Sequence, residues 1–462
     1  MTEELITISP IDGREVVRRA YASEAQISRT LAQAQSAQPA WQALGIAQRG
    51  RIVSAAIDQV VAARNEIARA ITIQMGRPLR YTPGEVDGFE ARARHMISIA
   101  EEALAPIQVP EQPGFTRFIR REPIGVALTI APWNYPLLTA VNSIVPALMA
   151  GNTVILKHSD QTPLCAELLD RAFRDAGVPQ GVFQYLHANH DTVQRLIRAP
   201  EIGYVSFTGS VRAGRIVEES AAGRFIGVGL ELGGNDPAYV RDDANMEHAV
   251  ESLVDGAFFN SGQSCCGIQR IYVAQARYDD FVERAVALTK AYVLGNPLHE
   301  TTTLGPVVRA RAAAEIRDVV GEAISAGAQN MMDSSHFDNA SEGSCYVAPA
   351  ILTRVNHRMR IMSDECFGPV VGIMPVAGDD EAVALMNDSS YGLTAAVYTQ
   401  DEAAALALGA QVRTGTFFMN RCDYLDPALA WTGVKNTGRG VSLSAIGYEQ
   451  LTQAKSFHLR TV

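Results

Sequence analysis

Four short segments of this 462-residue chain carry side chains able to do chemistry together. The first is the loop Asn260-Ser261-Gly262-Gln263-Ser264-Cys265-Cys266-Gly267, small, polar and bounded by glycine. Small neighbours let a substrate approach the Cys265 sulfur, and nearby backbone N–H groups favour a thiolate nucleophile. The second is Leu230-Glu231-Leu232-Gly233-Gly234-Asn235, where Glu231 stands in an apolar strand end. Burial there raises a carboxyl toward the range of a general base. The third is Ala131-Pro132-Trp133-Asn134-Tyr135-Pro136-Leu137, in which the Asn134 amide is the kind of donor that stabilises an oxyanion. The fourth is Phe207-Thr208-Gly209-Ser210-Val211-Arg212-Ala213-Gly214, whose glycine and serine suit a phosphate at a helix start. Taken singly, each has a plainer reading. The cysteine alone reads more readily as a buried structural thiol. The glutamate reads as a cap or ion-pair partner, the asparagine as a turn residue, and the last segment is no G-x-G-x-x-G fingerprint.

These residues must be positioned by strands and helices, and the pattern supplies both. Short β-rich runs at 126–130, 153–156, 182–186, 204–206 and 225–230 alternate with helical stretches at 163–176 and 190–198. Alternation at this pitch implies a doubly wound α/β fold, a parallel sheet whose ligands sit at the strand C-terminal ends. Lys157 falls at the same sheet end as the second and third segments. A second alternating stretch follows residue 233, with helices at 246–260 and 278–294 and strands at 270–273, 370–375 and 393–398. Ahead of both, Ser23-Glu24-Ala25-Gln26 reads as a capping box, and one amphipathic helix is expected over 51–75, stopped by Met75-Gly76-Arg77-Pro78. Residues 116–121 and 456–460 are extended and alternating, a natural edge sheet for subunit pairing.

Composition narrows the classes. About half the residues are apolar and the formal net charge is −10, which fits a globular protein with large cores and argues against a nucleic-acid partner. The acidic N-terminus lacks a secretory pattern and no apolar run spans a bilayer, so a cytoplasmic protein without membrane contact is expected. The six cysteines are scattered, apart from the pair Cys265-Cys266, without zinc spacing. No metal site is expected, and free thiols are.

Taken in order along the chain, APWNYPL, GNTVILK, FTGS, LELGG, FNSGQSC and ECFGPV, followed by the GRG segment, resemble the aldehyde dehydrogenase superfamily. The resemblance runs over essentially the whole chain, with 34 residues from Glu231 to Cys265. It implies a cofactor-binding domain over 1–105 and 125–232, a catalytic domain over 233–451, and oligomerisation strands at 106–124 and 452–462. It implies that Cys265 attacks the aldehyde, that Asn134 and the Cys265 N–H form the oxyanion hole, and that Glu231 activates water against the thioester. Trp133, Lys157, Asp160, Gly209, Ser210, Glu365 and Phe367 are implied to hold the dinucleotide. Tyr135, Asn142, Leu425 and Trp431 are implied to line the substrate tunnel. A homodimer or homotetramer is expected.

Several positions depart from the family pattern. Asp160 stands where a ribose-binding glutamate is common, and its charge favours NAD over NADP, with NADP still allowed. Gly440 stands where some relatives carry a second glutamate, so Glu231 acts alone or through water. The presence of Glu231 points to hydrolysis rather than acyl transfer to coenzyme A; a silent binding protein of this fold would be expected to lack Cys265, Glu231 or Asn134. The polar run Asn420–Asp426 and Asn142 suggest a small polar, hydroxylated or semialdehyde substrate. Arg421 stands either to pair with a substrate carboxylate or to pair with Asp423.

Overall fold

The computed structural model describes residues 3–461. Five strands, Val126–Ala131, Thr153–His158, Phe183–Tyr185, Ile202–Thr208 and Gly227–Glu231, form a parallel sheet. All six residues of each of the first two are buried, as expected where helices cover both faces. In space Val126–Ala131 lies in the middle, flanked by Thr153–His158 on one side and Ile202–Thr208 on the other. The chain therefore reverses its winding between Val126–Ala131 and Ile202–Thr208. The loops leaving those two strands diverge and open a crevice at their C-terminal ends. They are the loops that begin at Pro132 and at Gly209.

The second sheet has seven strands and is parallel apart from its short edge strand Gln329–Asn330. Its centre is Ile268–Ala274, between Asp236–Val240 and Val370–Val376. Asp236–Val240 follows Gly227–Glu231 after one short turn, so Glu231 and Cys265 hang from the facing ends of two sheets. A third, antiparallel sheet stands apart from both: Thr452–Arg460 pairs along its whole length with Phe115–Pro123, and Ile107–Gln108 adds an edge. Phe118 stacks on Phe457 across it at 4.6 Å.

The structure revises three expectations from the sequence. The helix expected over 51–75 is two, Gly45–Ala62 and Arg64–Met75, because Ala63 leaves the helical region at ψ 8°. Gly76 then closes the second helix at φ 92°, a conformation that a side chain disfavours, and delivers Arg77 to the site. The helix expected over 246–260 ends at Phe258, because Asn260, Ser261 and Gly262 take φ of 54°, 57° and 69°. A right-handed helix cannot continue through three such residues. Finally, residues 431–451 do not stay with the second sheet. Trp431, Leu443, Tyr448 and Leu451 pack into the core of the first, and Gly438–Arg439 pairs antiparallel with Leu230–Glu231. The boundary read at 451 is thus crossed earlier by the chain.

Candidate active site

Cys265 borders two cavities. One, of about 410 Å³, is walled by the helices Pro83–Ala103, Pro136–Ala150 and Met246–Phe258 and by the loop 422–431. The other, of about 350 Å³, opens at the crevice between Pro132–Asn134 and Gly209–Ser210. The left-handed turn Asn260–Gly262 aims the cysteine loop into this position, backbone strain of a kind that clusters at functional sites. Gly234 allows the close approach: a Cβ there would lie 2.2 Å from the Cys265 carbonyl oxygen. The adjacent Cys266 is differently placed. Its thiol donates to Asp423 Oδ1 at 2.9 Å, and its pKa is raised by the neighbouring Cys265 thiol, by burial and by the Asp423 charge.

Asn134 is 5% exposed and borders the smaller cavity, its Nδ2 donating to the Gln263 carbonyl at 3.1 Å. Its backbone is held by Arg77, a residue the sequence reading used only as a helix stop. The Arg77 guanidinium donates to the Asn134 carbonyl through Nη2, to Asn260 Oδ1 at 3.0 Å and to Glu85 at 2.5 Å, and lies 4.4 Å over the Tyr135 ring. Glu85 in turn accepts the Leu137 and Leu138 N–H groups, capping the helix that follows Asn134. Four chain segments thus converge on one buried ion pair. Such a pair keeps its geometry because each charge is fully hydrogen-bonded.

Glu231 borders the larger cavity. Desolvation raises its pKa, opposed by hydrogen bonds from Ser442 and Thr208 and by the charge of Arg92. Ser442 Oγ donates to Oε1, and Thr208 Oγ1 to Oε2 at 3.1 Å. The segment carrying Gly440 therefore brings a hydroxyl, not a second carboxylate, to Glu231. Neither Ser442 nor Thr208 carried a signal in the sequence, since each reaches Glu231 only after its strand pairs beside Gly227–Glu231.

The smaller cavity gathers Trp133, Asn134, Gly209, Ser210, Glu365 and Phe367. Trp133 meets Phe367 edge-on at 5.6 Å. Ser210 caps the helix Val211–Ala221, accepting from the Ala213 N–H at 3.3 Å. Glu365 accepts the Gly234 N–H at 3.0 Å, and burial pushes its pKa up to about 7. A Cβ at Gly233 would come 2.2 Å from the Glu365 carboxylate and would displace it. Lys157 and Asp160 lie beyond this cavity, at the end of the neighbouring strand. Lys157 Nζ pairs with Asp160 Oδ1 at 2.9 Å, and Tyr21 donates to Oδ2 at 2.7 Å. The donors and acceptors suit a nicotinamide dinucleotide: helix N–H groups for the pyrophosphate, Glu365 and Asp160 for ribose hydroxyls.

Tyr135, Asn142, Leu425 and Trp431 all line the larger cavity. Arg421 does not; it lies 3.3 Å from the Tyr424 ring centroid, and Asp423 is taken by Ser264 Oγ at 3.0 Å and by Cys266. The pairing of Arg421 with Asp423 considered from the sequence is not formed. The cation that does line this cavity is Arg92, which the sequence reading missed. Its signal was present: it sits among Val86, Phe89, Ala93 and Met96 on the buried face of its helix. Among the described residues, no helix is long and apolar enough to cross a membrane, and no group of three or more His, Cys, Asp or Glu side chains is placed to hold a metal.

A doubly wound dinucleotide-type sheet facing a second α/β sheet defines the class: a pyridine-nucleotide oxidoreductase. The chain belongs to the aldehyde dehydrogenase family, whose model matches residues 1–457. It is 34% identical over 99% of its length to 93% of the 3,6-anhydro-alpha-L-galactose dehydrogenase of Streptomyces coelicolor. It is 34% identical over 97% of its length to 93% of an NADP-type succinate-semialdehyde dehydrogenase of Deinococcus radiodurans. It superposes with TM-score 0.94 on an NAD-dependent aldehyde dehydrogenase structure from Sinorhizobium meliloti, at 30% identity, covering 99% of this chain and 92% of that one. The protein is thus an enzyme that oxidises aldehydes.

Proposed function

We propose that the protein oxidises an aldehyde to the carboxylic acid through a thioester on Cys265, with water as the final acyl acceptor. The observation that carries this reading is that Cys265 borders both cavities, with Glu231 on one and Glu365 on the other. The Cys265 thiolate attacks the aldehyde carbon in the larger cavity. Asn134 Nδ2 turns from the Gln263 carbonyl to the new oxyanion, joined by the Cys265 N–H. A nicotinamide dinucleotide, NAD or NADP, held by Trp133, Gly209, Ser210, Glu365 and Phe367 would supply the hydride acceptor for the thiohemiacetal carbon. Collapse of the oxyanion leaves the thioester. Glu231 then takes a proton from water, the water oxygen attacks the thioester carbon, and the C–S bond breaks to return the thiolate and release the acid.

Ser442 and Thr208 orient the Glu231 carboxylate for that step. Cys266 stays protonated beside it and is spared as a nucleophile. Asp160 favours NAD by its charge, and Glu365 accepts the nicotinamide-side ribose hydroxyls. The third sheet pairs subunits through an exposed edge; Ile107 on one edge strand is 44% exposed and Leu459 on the other 55%. Light scattering of a homo-oligomer that an Ile107→Lys substitution dissociates is the expected result.

The test of the reaction is an aldehyde assay without coenzyme A. Reduced cofactor should accumulate continuously in the wild type. Glu231→Gln should give a burst near one equivalent per site and then a steady rate lower by roughly 10²–10⁴-fold. A strict requirement for coenzyme A would overturn hydrolysis.

A further inference from the structure

The larger cavity contains one cation among its lining residues, Arg92. It lies one helical turn after Gly88, where a Cβ would meet the Leu138 side chain at 2.6 Å. The missing side chain lets Pro83–Ala103 pack close against Pro136–Ala150, and that contact carries the guanidinium to the cavity wall. Nη1 is spent on the protein: it donates to the Leu138 carbonyl at 2.6 Å and to Asn142 Oδ1 at 3.3 Å. Nε and Nη2 donate to no group among the described residues, and no carboxylate comes within 4.0 Å of the side chain there. Arg92 is nonetheless only 9% exposed.

A guanidinium stays protonated at any working pH, so a buried one without a counter-charge is destabilising. The charges of Glu85 and Glu231 offset this only through space, without direct contact. Asp423 is engaged by Ser264 and Cys266, and Glu231 by Ser442 and Thr208. The free edge of Arg92, Nε–H with Nη2–H, is the edge that takes a carboxylate in two parallel hydrogen bonds. Asn142 fixes the opposite edge and so fixes the direction of the fork.

We infer that Arg92 anchors a carboxylate at the far end of the aldehyde, making ω-oxo acids the substrate class. This rests on the reading of the larger cavity as the aldehyde site. Arg92 is then a specificity-determining residue: the carboxylate pairs with it while the aldehyde carbon reaches Cys265. A cavity of about 410 Å³ suits a short chain of this kind. The rival role is internal, with Arg92 merely steadying Asn142 beside Glu231.

The experiment compares 4-oxobutanoate and 5-oxopentanoate with butanal and pentanal, in wild type, Arg92→Gln and Arg92→Lys. In the wild type, kcat/KM for the better oxo acid should exceed that of its neutral counterpart on the order of 100-fold. Arg92→Gln should collapse that ratio toward one, chiefly through KM, and Arg92→Lys should restore part of it. A wild-type ratio near one overturns the anchor, and this arm stands even if a variant fails to fold. An unchanged ratio in Arg92→Gln, with both substrates slowed equally, overturns it in favour of the internal role. Wild type inactive on all four aldehydes with either cofactor would overturn the aldehyde-site reading itself, a distinguishable failure.

Discussion

The cleft assigned to the dinucleotide and the cavity assigned to the aldehyde share Cys265 but are built from different material. The cleft is walled chiefly by loops that leave strand ends, Pro132–Asn134, Gly209–Ser210 and Gly233, with Glu365, Phe367 and one helix, Ala310–Ser325, facing them. The cavity is walled by side chains from three helices and from the loop 422–431. The cleft presents backbone N–H groups and the carboxylates of Glu365 and Glu315, a surface that can serve any nicotinamide dinucleotide. The cavity presents Glu231, Asp255, Asp423 and the cation Arg92, a pattern of side-chain charges. Chemistry common to a family is carried by backbone geometry at strand ends, and selectivity by side chains on helix faces that vary without disturbing the sheets.

Four perturbations break or sharpen that division. The largest falls on the shared residue. Cys265→Ser should lower turnover by at least about 10⁴-fold while dinucleotide binding, read by fluorescence titration, persists. Loss of both together would mean that the two cavities are not separable. Next, Asn134→Ala should cost roughly 10²–10³ in kcat with little change in cofactor affinity. A comparable loss in Arg77→Met, partly recovered in Arg77→Lys, would assign that ion pair to positioning the oxyanion donor.

The third concerns only the cleft. Glu365 titrates near 7, raised by burial, and ribose hydroxyls need its ionised form as acceptor. Cofactor affinity should therefore rise as pH increases through about 7, by up to roughly tenfold per unit below it, and level off above. Calorimetric titration at pH 6 and pH 8 checks this, and Glu365→Gln should flatten the profile while weakening binding. The smallest effect is expected at the cleft's outer end. Asp160→Ser frees the Lys157 ammonium from its 2.9 Å partner and removes a negative charge. The ratio of kcat/KM for NADP to that for NAD should rise about tenfold. An unchanged ratio would place cofactor choice elsewhere.

The division also marks what could be read in advance. Strand ends leave local signatures. Apolar runs bounded by glycine and proline located all five first-sheet strands to within a few residues, and the segments at or after their ends contained Asn134, Gly209, Ser210 and Glu231. Helix ends were less legible. Nothing local foretold the break at Ala63, and the left-handed φ at Asn260 and Ser261 is imposed by packing of the cysteine loop against Gly368 and Asn134. The return of residues 431–451 to the first core was also invisible, because it depends on contacts more than two hundred residues apart.

By itself the sequence determined the α/β class and the alternation into two sheets, and it singled out Cys265, Glu231 and Asn134, with Glu365 through the family resemblance, as candidates for the chemistry. Periodicity and turn residues are local, and so are the motifs that place a side chain at a strand end. Only the tertiary structure decided that Cys265 lies between two cavities and that Ser442 rather than a carboxylate meets Glu231. It alone decided that Arg92, not Arg421, lines the larger cavity. The reason is physical. Which charges share a cavity depends on how helices pack, and that is fixed by contacts such as Gly88 against Leu138, far apart in the chain.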